Sequence, residues 1–330
     1  MKIAFIVNRT EHASVYYRTL QYVPLFANEG AIPSVLTLPK GFNSRISLFS
    51  SLRNYDIVIV QRKLFNLLNF LPLRRLAKKL VYDLDDALFV KDSKSTKSFS
   101  LTRKLRFART AKQVDGVICG NRWIQERTAP LNINHCIIPT AVDTDLYNPV
   151  KIHTQGEAFT AVWIGGKSTL FYLEGILPTL EAAAQRIPGF RLRVISDFFP
   201  SSKTLYIEKI PWTRKAEVQA LRECDVGLMP LVDDPWSRGK CGLKLLQYGA
   251  VGLPSICSPI GVNPLIVHHG ESGFHAQTPA DWQEALISLS QDLGVRSVMG
   301  QKARQIVEDQ FSVKACFPRL LDFLRRTALT

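Results

Sequence analysis

The sequence predicts an α/β protein built from two Rossmann-like, doubly wound parallel-sheet domains. Three observations support this: short runs rich in Val, Ile and Leu alternate with helical patterns, the alternation restarts near residue 159, and a stretch without periodicity separates the two halves. Runs with almost no polar residues are typical of parallel strands that helices cover on both faces. A chain of 330 residues is also long enough for two separate cores.

The first half contains six candidate strands, which read "KIAFIVN", "IPSVLTL", "YDIVIVQ", "KLVYDLD", "DGVICGN" and "HCIIPTA". Helical patterns cover residues 14–29, 64–79 and 98–112. Residues 139–159 then lose periodicity and gather Pro, Asp, Asn and Gly, which is typical of a linker. We therefore expect a first domain over residues 1–150.

The second half repeats the same arrangement. Candidate strands read "FTAVWIG", "FRLRVIS", "LYIEKIP", "DVGLMPL" and "PSICSP", and helical patterns cover residues 169–186 and 214–223 and the stretch of residues 238–255, where Gly252 and Pro254 end the apolar run. We expect a second domain over residues 151–330, with the last helix, around "ACFPRLLDFLRRTA", packing back on the first domain. Ligands of such folds bind at the carboxyl ends of the strands, which predicts a site in a cleft where the two domains face each other.

Composition excludes several classes of protein. With 46% hydrophobic and 21% charged residues the chain is typical of a folded globular protein. No apolar run reaches the length of a spanning helix, and "MKIAFIVNRTEHAS" turns polar too early for a signal peptide, so we expect a cytoplasmic protein. The six cysteines lack a CxxC pair and the histidines lack ligand spacing, which favours free thiols and no bound metal.

Positive charge is concentrated in the first half. The first 150 residues hold 22 Lys and Arg against 11 Asp and Glu, and in "PLRRLAKKL" and "LTRKLRFARTAK" the bases alternate with Leu and Phe at helical spacing. This pattern is typical of a surface that binds the anionic inner leaflet of the cell membrane, and equally of solvated basic helices. No recognition motif favours nucleic acid. The membrane interpretation predicts that one side of the domain carries six cations and three apolar side chains, namely Arg74, Arg75, Lys78, Lys79, Arg103, Lys104, Leu73, Leu76 and Phe107.

Two stretches of the second half predict an anion site. "VWIGGKST" ends a strand on Gly165 and Gly166, with Lys167 beside them, and "RGKCGLKLLQYGAVGLPS" crowds Arg238, Lys240 and Lys244 around a helix start. The dipole already makes a helix start positive, so cations there are expected only where an anion such as phosphate binds. Two such ends on one sheet edge would hold a diphosphate. The alternative, that Lys244 is a solvated side chain and Gln247 a surface amide, stays open.

The run from "DVGLMPL" to "GESGFHA", residues 225–276, resembles the donor-binding motif of the family 4 retaining glycosyltransferases, which have the GT-B fold. "IIPTAVDTDLYNP" resembles the hinge that these enzymes carry between their domains. The resemblance implies transfer of a hexose from a nucleotide-diphosphate sugar, UDP-sugar rather than GDP-sugar, with retention of configuration and with no cofactor or bound metal required. The position of Arg238 and Lys244 at a helix start that is already positive favours them as the catalytic residues. The resemblance further implies that the donor contacts Gly165, Gly166, Lys167, Asp233, Trp236, Lys240, Gly242, Leu243 and Gln247.

The sequence departs from the family at two glutamates, which are replaced by Gly239 and Gln247. The Gln247 amide can still bond a ribose hydroxyl, because it both donates and accepts. Gly239 offers no side chain to a sugar hydroxyl, so that role falls to Asp233, Asp234 or Trp236.

Acceptor contacts are predicted at the strand ends of the first domain. "YDLDDALF" places Asp83, Asp85 and Asp86 at the end of a parallel strand, where acids can orient an acceptor hydroxyl or simply cap the chain. His12 and Arg18, near the end of the first strand, are further candidates.

The sequence therefore predicts a cytoplasmic glycosyltransferase that contacts the inner face of the cell membrane and adds a sugar to a glycan or lipid-linked acceptor, as in surface-polysaccharide assembly. Two alternatives remain: a non-catalytic protein that binds nucleotide or glycan, and a nucleotide-sugar epimerase of the same fold.

Overall fold

The computed structural model describes residues 1–149 and 158–329. Contacts between residues divide the chain into two compact units. The first unit comprises Met1–Ala141, Asp234–Cys241 and Val313–Thr330, and the second comprises Val142–Asp233 and Gly242–Ser312. The predicted boundary at residues 150 and 151 lies outside the described residues.

The strands are, in chain order, β1 (Lys2–Val7), β2 (Ile32–Thr37), β3 (Ile57–Gln61), β4 (Leu80–Leu84), β5 (Gly116–Cys119), β6 (His135–Ile137), β7 (Thr160–Ile164), β8 (Arg191–Ile195), β9 (Ile207–Ile210), β10 (Val226–Met229), β11 (Ser255–Cys257) and β12 (Gly273–His275). The helices are α1 (Ala13–Arg18), α2 (Val23–Asn28), α3 (Phe42–Ser51), α4 (Leu67–Leu76), α5 (Leu101–Gln113), α6 (Arg122–Thr128), α7 (Leu170–Ala184), α8 (Arg214–Arg222), α9 (Pro235–Arg238), α10 (Leu243–Ala250), α11 (Asn263–Ile266), α12 (Pro279–Gln291), α13 (Leu293–Ile306) and α14 (Val313–Leu329). Among the described helices, none is long and apolar enough to cross a membrane.

The first unit is built around a six-stranded parallel sheet in the order β2-β1-β3-β4-β5-β6. Apolar side chains of α3, α4, α5 and α6 pack on one face of the sheet. The opposite face is covered by α2 and by α14, whose Phe317, Leu320 and Leu324 pack against Ile3 and Ile57. The last helix of the chain is therefore part of the first unit.

The second unit has its own six-stranded parallel sheet, in the order β12-β11-β10-β7-β8-β9. Its core includes Trp163, Leu173, Leu192 and Leu286, from strands and from the helices that cover them. Both units are thus helix-covered parallel sheets, and the predicted α/β fold class is confirmed.

Two helical predictions for the first unit differ from the structure. The helix expected over residues 14–29 is divided into α1, a short 3-10 turn at Leu20–Tyr22, and α2. Pro24 causes this division, because it has no amide hydrogen and is accepted only in the first turn of a helix. Two helices were not predicted from the sequence, namely α3, whose residues "FNSRISLFSS" show little apolar periodicity, and the short α6.

Candidate functional site

The second unit has a switch point between β7 and β10, where the strand order reverses. From β7 the chain proceeds to β8 and β9 on one side, and from β10 to β11 and β12 on the other. In doubly wound sheets a ligand crevice opens at this point, outside the carboxyl ends of the strands. Gly165 and Gly166 directly follow β7, and residues 230–233 follow β10. The predicted glycine pair therefore lies where this fold places its ligands.

A tyrosine of α10 holds the two strands of the switch point together. The β7–β10 ladder pairs Ala161 and Val162 with Val226 and Gly227. Beyond it, the buried Tyr248 hydroxyl accepts the Ile164 amide hydrogen at 3.1 Å and donates to the Leu228 carbonyl at 3.3 Å. Gly227 makes room for this ring, because a Cβ there would overlap Tyr248. Tyr248 thereby fixes α10 against the crevice.

The glycine pair forms a turn over a buried indole. A Cβ on Gly165 would lie 2.5 Å from the Trp163 ring and 2.8 Å from the Thr169 hydroxyl, whereas a Cβ on Gly166 would meet nothing within 4 Å. The Thr169 amide closes the turn by donating to the Gly166 carbonyl at 2.9 Å. Gly165 is thus required by packing, while Gly166 faces open space beside Lys167, which is exposed.

Lys244, in the first turn of α10, reaches the same indole. Its ammonium lies 5.3 Å from the centroid of the Trp163 ring. Gly242, just before the helix, has φ of +68°, and a side chain there would collide with Ile266. Leu243 follows it and begins the helix, partly exposed. The second unit therefore brings together the glycine turn, Lys244 and the start of α10, which is the environment that an anion needs.

Lys167 and Asp233 occupy the borders of this region. The Lys167 ammonium lies 5.1 Å from the centroid of the Phe198 ring, and Asp233 is exposed in the loop after β10. Their predicted donor contacts stay predictions.

Gln247 lies in a buried polar network of the second unit. Its side-chain nitrogen donates to the Tyr147 hydroxyl at 3.1 Å. Tyr147 donates to one oxygen of Glu217 at 2.5 Å, and the Trp212 indole donates to the other oxygen at 2.6 Å. With 3% of its surface exposed, Gln247 is not the surface amide that the sequence left open. Its predicted ribose contact stays a prediction, and the contacts observed are structural.

The cations of "RGKCGLK" do not share one helix start, which corrects the sequence analysis. Arg238 is the last residue of α9 in the first unit, whereas Lys244 lies on α10 in the second. Asp234 begins α9, and its carboxylate accepts the Ser237 amide hydrogen at 2.7 Å. Gly239, which ends α9, and the left-handed Gly242 interrupt the helical run.

The segment that contains α9 is attached to the first unit. The Asn121 side-chain nitrogen donates to the Gly239 carbonyl at 2.9 Å and to the Lys240 carbonyl at 3.1 Å. The Cys241 thiol donates to the Asp85 carbonyl at 2.9 Å. A Cβ on Gly239 would lie 2.5 Å from that of Ala87. The family glutamate therefore has no space at residue 239.

Three predicted site residues share this segment. The Lys240 ammonium lies 5.5 Å from the centroid of the Trp236 ring, and Trp236 itself packs on the core of the first unit. Arg238 is exposed. Partial burial of Arg127, together with the like charge of Arg238, lowers the pKa of Arg127. Arg238, Lys240 and Trp236 are thus brought together in the first unit.

Of the predicted acceptor residues, Arg18 has a structural role. Its guanidinium forms a buried, two-point ion pair with Asp83 and donates to the Ile138 carbonyl at 2.7 Å. Burial disfavours the charge of Arg18, but the Asp83 carboxylate outweighs it and raises the pKa of Arg18 above its ordinary value. These buried partners occupy the guanidinium, so the contacts observed for Arg18 are structural, and its predicted acceptor contact stays a prediction.

Asp85 and Asp86 are both held by Arg62. The guanidinium contacts Asp85 at 3.1 Å and Asp86 at 2.6 Å. Arg62 has φ of +60°, an uncommon value for a residue with a side chain. Burial, opposed by Arg62, raises the pKa of Asp85 to about 6. Its second carboxylate oxygen is buried without a hydrogen-bond partner in the described part of the chain.

His12 is exposed directly before α1, at the carboxyl end of β1. His12, Asp85 and Asp86 all follow strands at the same edge of the sheet. Within residues 1–149 and 158–329, no three His, Cys, Asp or Glu side chains are placed to hold a metal ion.

Four residues that organise these regions were not predicted from the sequence, namely Arg62, Asn121, Trp163 and Tyr248. Asn121 had a detectable signal, because Asn directly after a strand is a common helix cap, and its carboxamide oxygen does accept the Ile124 amide hydrogen. The others show their roles only through contacts with residues far along the chain.

Residues 166–292 match the family model described as "Glycosyl transferases group 1". A search by sequence finds no match among curated proteins. The family match begins at Gly166 and includes β10 and α10, whereas β7 and Gly165 directly precede it.

Solved structures share the fold over nearly the whole chain. HepE from Anabaena, crystallised with UDP and glucose, has a TM-score of 0.75 at 15% identity, covering 98% of this chain and 99% of its own. Sucrose-phosphate synthase from Thermosynechococcus elongatus has a TM-score of 0.75 at 15% identity, covering 98% of each chain. A glycosyltransferase from Rickettsia africae has a TM-score of 0.76 at 11% identity, covering 99% of this chain and 98% of its own.

These likenesses confirm the GT-B fold that the sequence resemblance implied. The chain thus has the GT-B fold, and its residues 166–292 are similar to the glycosyl transferases group 1 family.

Proposed function

We propose that this protein transfers a hexose from a UDP-sugar to a glycan or lipid-linked acceptor, with retention of configuration, in the assembly of a surface polysaccharide. The observation that carries the proposal is the convergence of the glycine turn, Lys244 and the start of α10 on Trp163, in a domain that matches the family. HepE, which shares the fold, was crystallised with UDP and with UDP-glucose, which favours a uridine donor here.

The diphosphate of the donor is the group that this region suits best. As the bond between the anomeric carbon and the diphosphate breaks, its electron pair moves to the phosphate oxygen. Lys244, the backbone at Gly165 and Gly166, and the first turn of α10 stabilise that growing negative charge. Trp163 positions the Lys244 ammonium by lying beneath it.

Retention follows if the acceptor hydroxyl attacks from the face that the diphosphate leaves. The new bond joins the acceptor oxygen to the anomeric carbon, and the acceptor proton passes to the departing phosphate oxygen. No strong protein base is required by this route. Arg238 and Lys240 are also proposed to supply positive charge to the donor.

The acceptor is assigned to the carboxyl edge of the first-unit sheet, where His12, Asp85 and Asp86 follow their strands. We propose that Asp86, which is less buried than Asp85, accepts a hydrogen bond from an acceptor hydroxyl. A cytoplasmic location at the inner face of the cell membrane fits a lipid-linked acceptor.

The experiment measures UDP binding by calorimetry and UDP-glucose hydrolysis for the wild type and Lys244→Ala. We expect turnover to fall about a hundredfold in the variant, as when one charge partner of a transition state is lost. Lys215→Ala removes an exposed cation of α8 and serves as the control, with unchanged turnover expected. Excess chelator should leave the activity intact.

Equal turnover in the two variants would remove Lys244 from the site. UDP binding without hydrolysis or transfer, across a panel of donors and acceptors, would instead favour the non-catalytic alternative that the two missing glutamates suggest.

A further inference from the structure

The cations that the sequence grouped together lie at opposite edges of the first-unit sheet. Arg74 pairs with Asp115 at 3.2 Å, and Lys78 pairs with Asp56 at 3.7 Å. These two acids directly precede β5 and β3, so Arg74 and Lys78 lie at the amino edge of the sheet. Arg103, by contrast, is in the first turn of α5, at the carboxyl edge. The cations of α4 and α5 therefore do not form one cluster, although both helices cover the same face of the sheet, because α4 runs from one edge of the parallel sheet to the other.

The apolar residues expected beside those cations are also not at the surface. Leu73 and Phe107 are buried in the core of the first unit, and Leu76 packs against it. Seven exposed apolar side chains of the first unit lie instead near the starts of α3, α4 and α5. They are Phe42, Leu67, Leu68, Leu71, Phe99, Leu101 and Leu105, which we call the apolar rim.

The three helices place these side chains near one another. Each follows a parallel strand, so α3, α4 and α5 all begin at the carboxyl edge, and they pack on the same face of the sheet. An Arg45 nitrogen of α3 lies 3.2 Å from the Asn69 side-chain oxygen of α4. The Arg109 guanidinium of α5 lies 5.2 Å from the centroid of the Phe70 ring of α4.

The segments that carry the apolar rim are rich in cations and poor in acids. The helices α3, α4 and α5 contain no Asp or Glu, and Asp92 is the one acidic residue within residues 87–113. Arg45, Lys63 and Arg106 form no ion pair among the described residues. Burial, and then the like charges of Arg45 and Arg106, lower the pKa of Lys63.

We propose that the apolar rim and the cations around it form a docking surface for an anionic lipid bilayer. Leucine and phenylalanine side chains would enter the boundary between headgroups and acyl chains, while lysine and arginine meet the lipid phosphates. A second copy of the chain is a poor occupant, because it would bring the same positive charge against itself. The docking surface would bring a lipid-linked acceptor to the carboxyl edge of the first unit, and in this respect the inference rests on the proposed function.

Co-sedimentation with vesicles tests the surface, using phosphatidylcholine alone and phosphatidylcholine mixed with phosphatidylglycerol. The wild type should bind only the anionic vesicles, and less well as salt rises. The double variant Lys63→Gln with Arg106→Gln should weaken binding roughly 30-fold, since each cation near an anionic surface contributes about fivefold to the affinity. Leu68→Gln with Leu105→Gln should weaken it at least tenfold while leaving the charge unchanged.

Matched controls come from the amino edge of the same sheet. Arg53→Gln with Arg75→Gln removes the same charge, and Ile32→Gln with Ile133→Gln removes exposed apolar side chains, and both pairs should bind like the wild type. Equal losses in the rim and control variants, or equal binding to neutral vesicles, would overturn the proposal. Light scattering that shows a dimer broken by the rim variants would instead identify an interface between copies.

Hydrolysis of soluble UDP-glucose, measured on the same variants, separates this inference from the proposed function. We expect the rim variants to keep wild-type hydrolysis, because they lie outside the donor region. A protein that binds anionic vesicles through the rim but never cleaves a donor would refute the proposed function alone.

Discussion

The Lys244 ammonium lies 5.3 Å from the centroid of the Trp163 indole, although 80 residues of chain separate the two. Trp163 is 1% exposed and belongs to β7, so its ring is a fixed surface on which the lysine rests. A cation over an aromatic ring gains about 0.5–2 kcal/mol, depending on how far it is removed from water. The pair therefore directs one positive charge to the end of β7, next to the glycine turn.

Substitution of Gly165 should lower the stability of the protein, whereas substitution of Gly166 should not. A methyl group at residue 165 would press on the Trp163 ring at 2.5 Å, whereas at residue 166 it would meet nothing within 4 Å. We expect Gly165→Ala to lower the free energy of unfolding by about 1–3 kcal/mol, and Gly166→Ala to change it by less than about 0.5 kcal/mol. Urea unfolding followed by circular dichroism measures both. Equal stability of the two variants would contradict the tight packing inferred for Gly165.

Breaking the buried Arg18–Asp83 pair should destabilise the first unit strongly. Arg18→Met leaves the Asp83 carboxylate buried without its cation, which we expect to cost about 3–5 kcal/mol. Thermal and urea unfolding provide the measurement. The control is Arg326→Ala, which removes an exposed ion pair with Asp322 and should cost less than about 1 kcal/mol. Unchanged stability of Arg18→Met, together with loss of sugar transfer to the acceptor, would indicate that Arg18 contacts the acceptor and has no structural role.

Asp85 should give the protein a pH-dependent loss of stability. Burial raises its pKa in the folded state to about 6, so the folded protein holds this proton more tightly than the unfolded chain does. The stability contributed by Asp85 therefore falls as pH rises from about 4 to about 6. Asp85→Asn lacks this proton, so its stability relative to the wild type should increase across that range, on the order of 1–3 kcal/mol, and then level off.

Urea unfolding at pH 4.5, 5.5 and 7 measures this difference. The exposed Asp197→Asn variant serves as the control, and its difference from the wild type should be nearly constant. A difference for Asp85→Asn that does not change with pH would show that the carboxyl group is not perturbed.

Restoring the family glutamate at residue 247 should lower the free energy of unfolding. Tyr147 already donates to Glu217, so its oxygen can only accept from residue 247, and an ionised Gln247→Glu side chain has no hydrogen to donate. We expect a loss of about 2–3 kcal/mol at pH 7, which shrinks at low pH because a protonated carboxyl group can donate. Gln301→Glu, on the exposed side of α13, should be nearly neutral in the same unfolding measurements. Higher stability for Gln247→Glu at pH 7 would contradict the network.

The alternation of buried strands and helices was sufficient to predict the parallel sheets, because residues buried on both faces must be apolar along their whole length. Prediction was less successful where one residue interrupts a regular pattern. Pro24 divides the first predicted helix, and the left-handed Gly242 separates α10 from α9, although apolar periodicity continues around both. Local backbone chemistry prevailed over periodicity at these points.

The sequence by itself determined the fold class, the glycine turn after β7 and the excess of positive charge in the first half, since all three depend on residues that are near one another in the chain. Tertiary structure decided which charges remain available. In the folded chain Arg18 is buried against Asp83, Gln247 lies in a network with Tyr147, and α9 belongs to the first unit. These outcomes depend on partners 65 to 120 positions away, and electrostatic and packing energies are set by distance in space, which local sequence patterns do not contain.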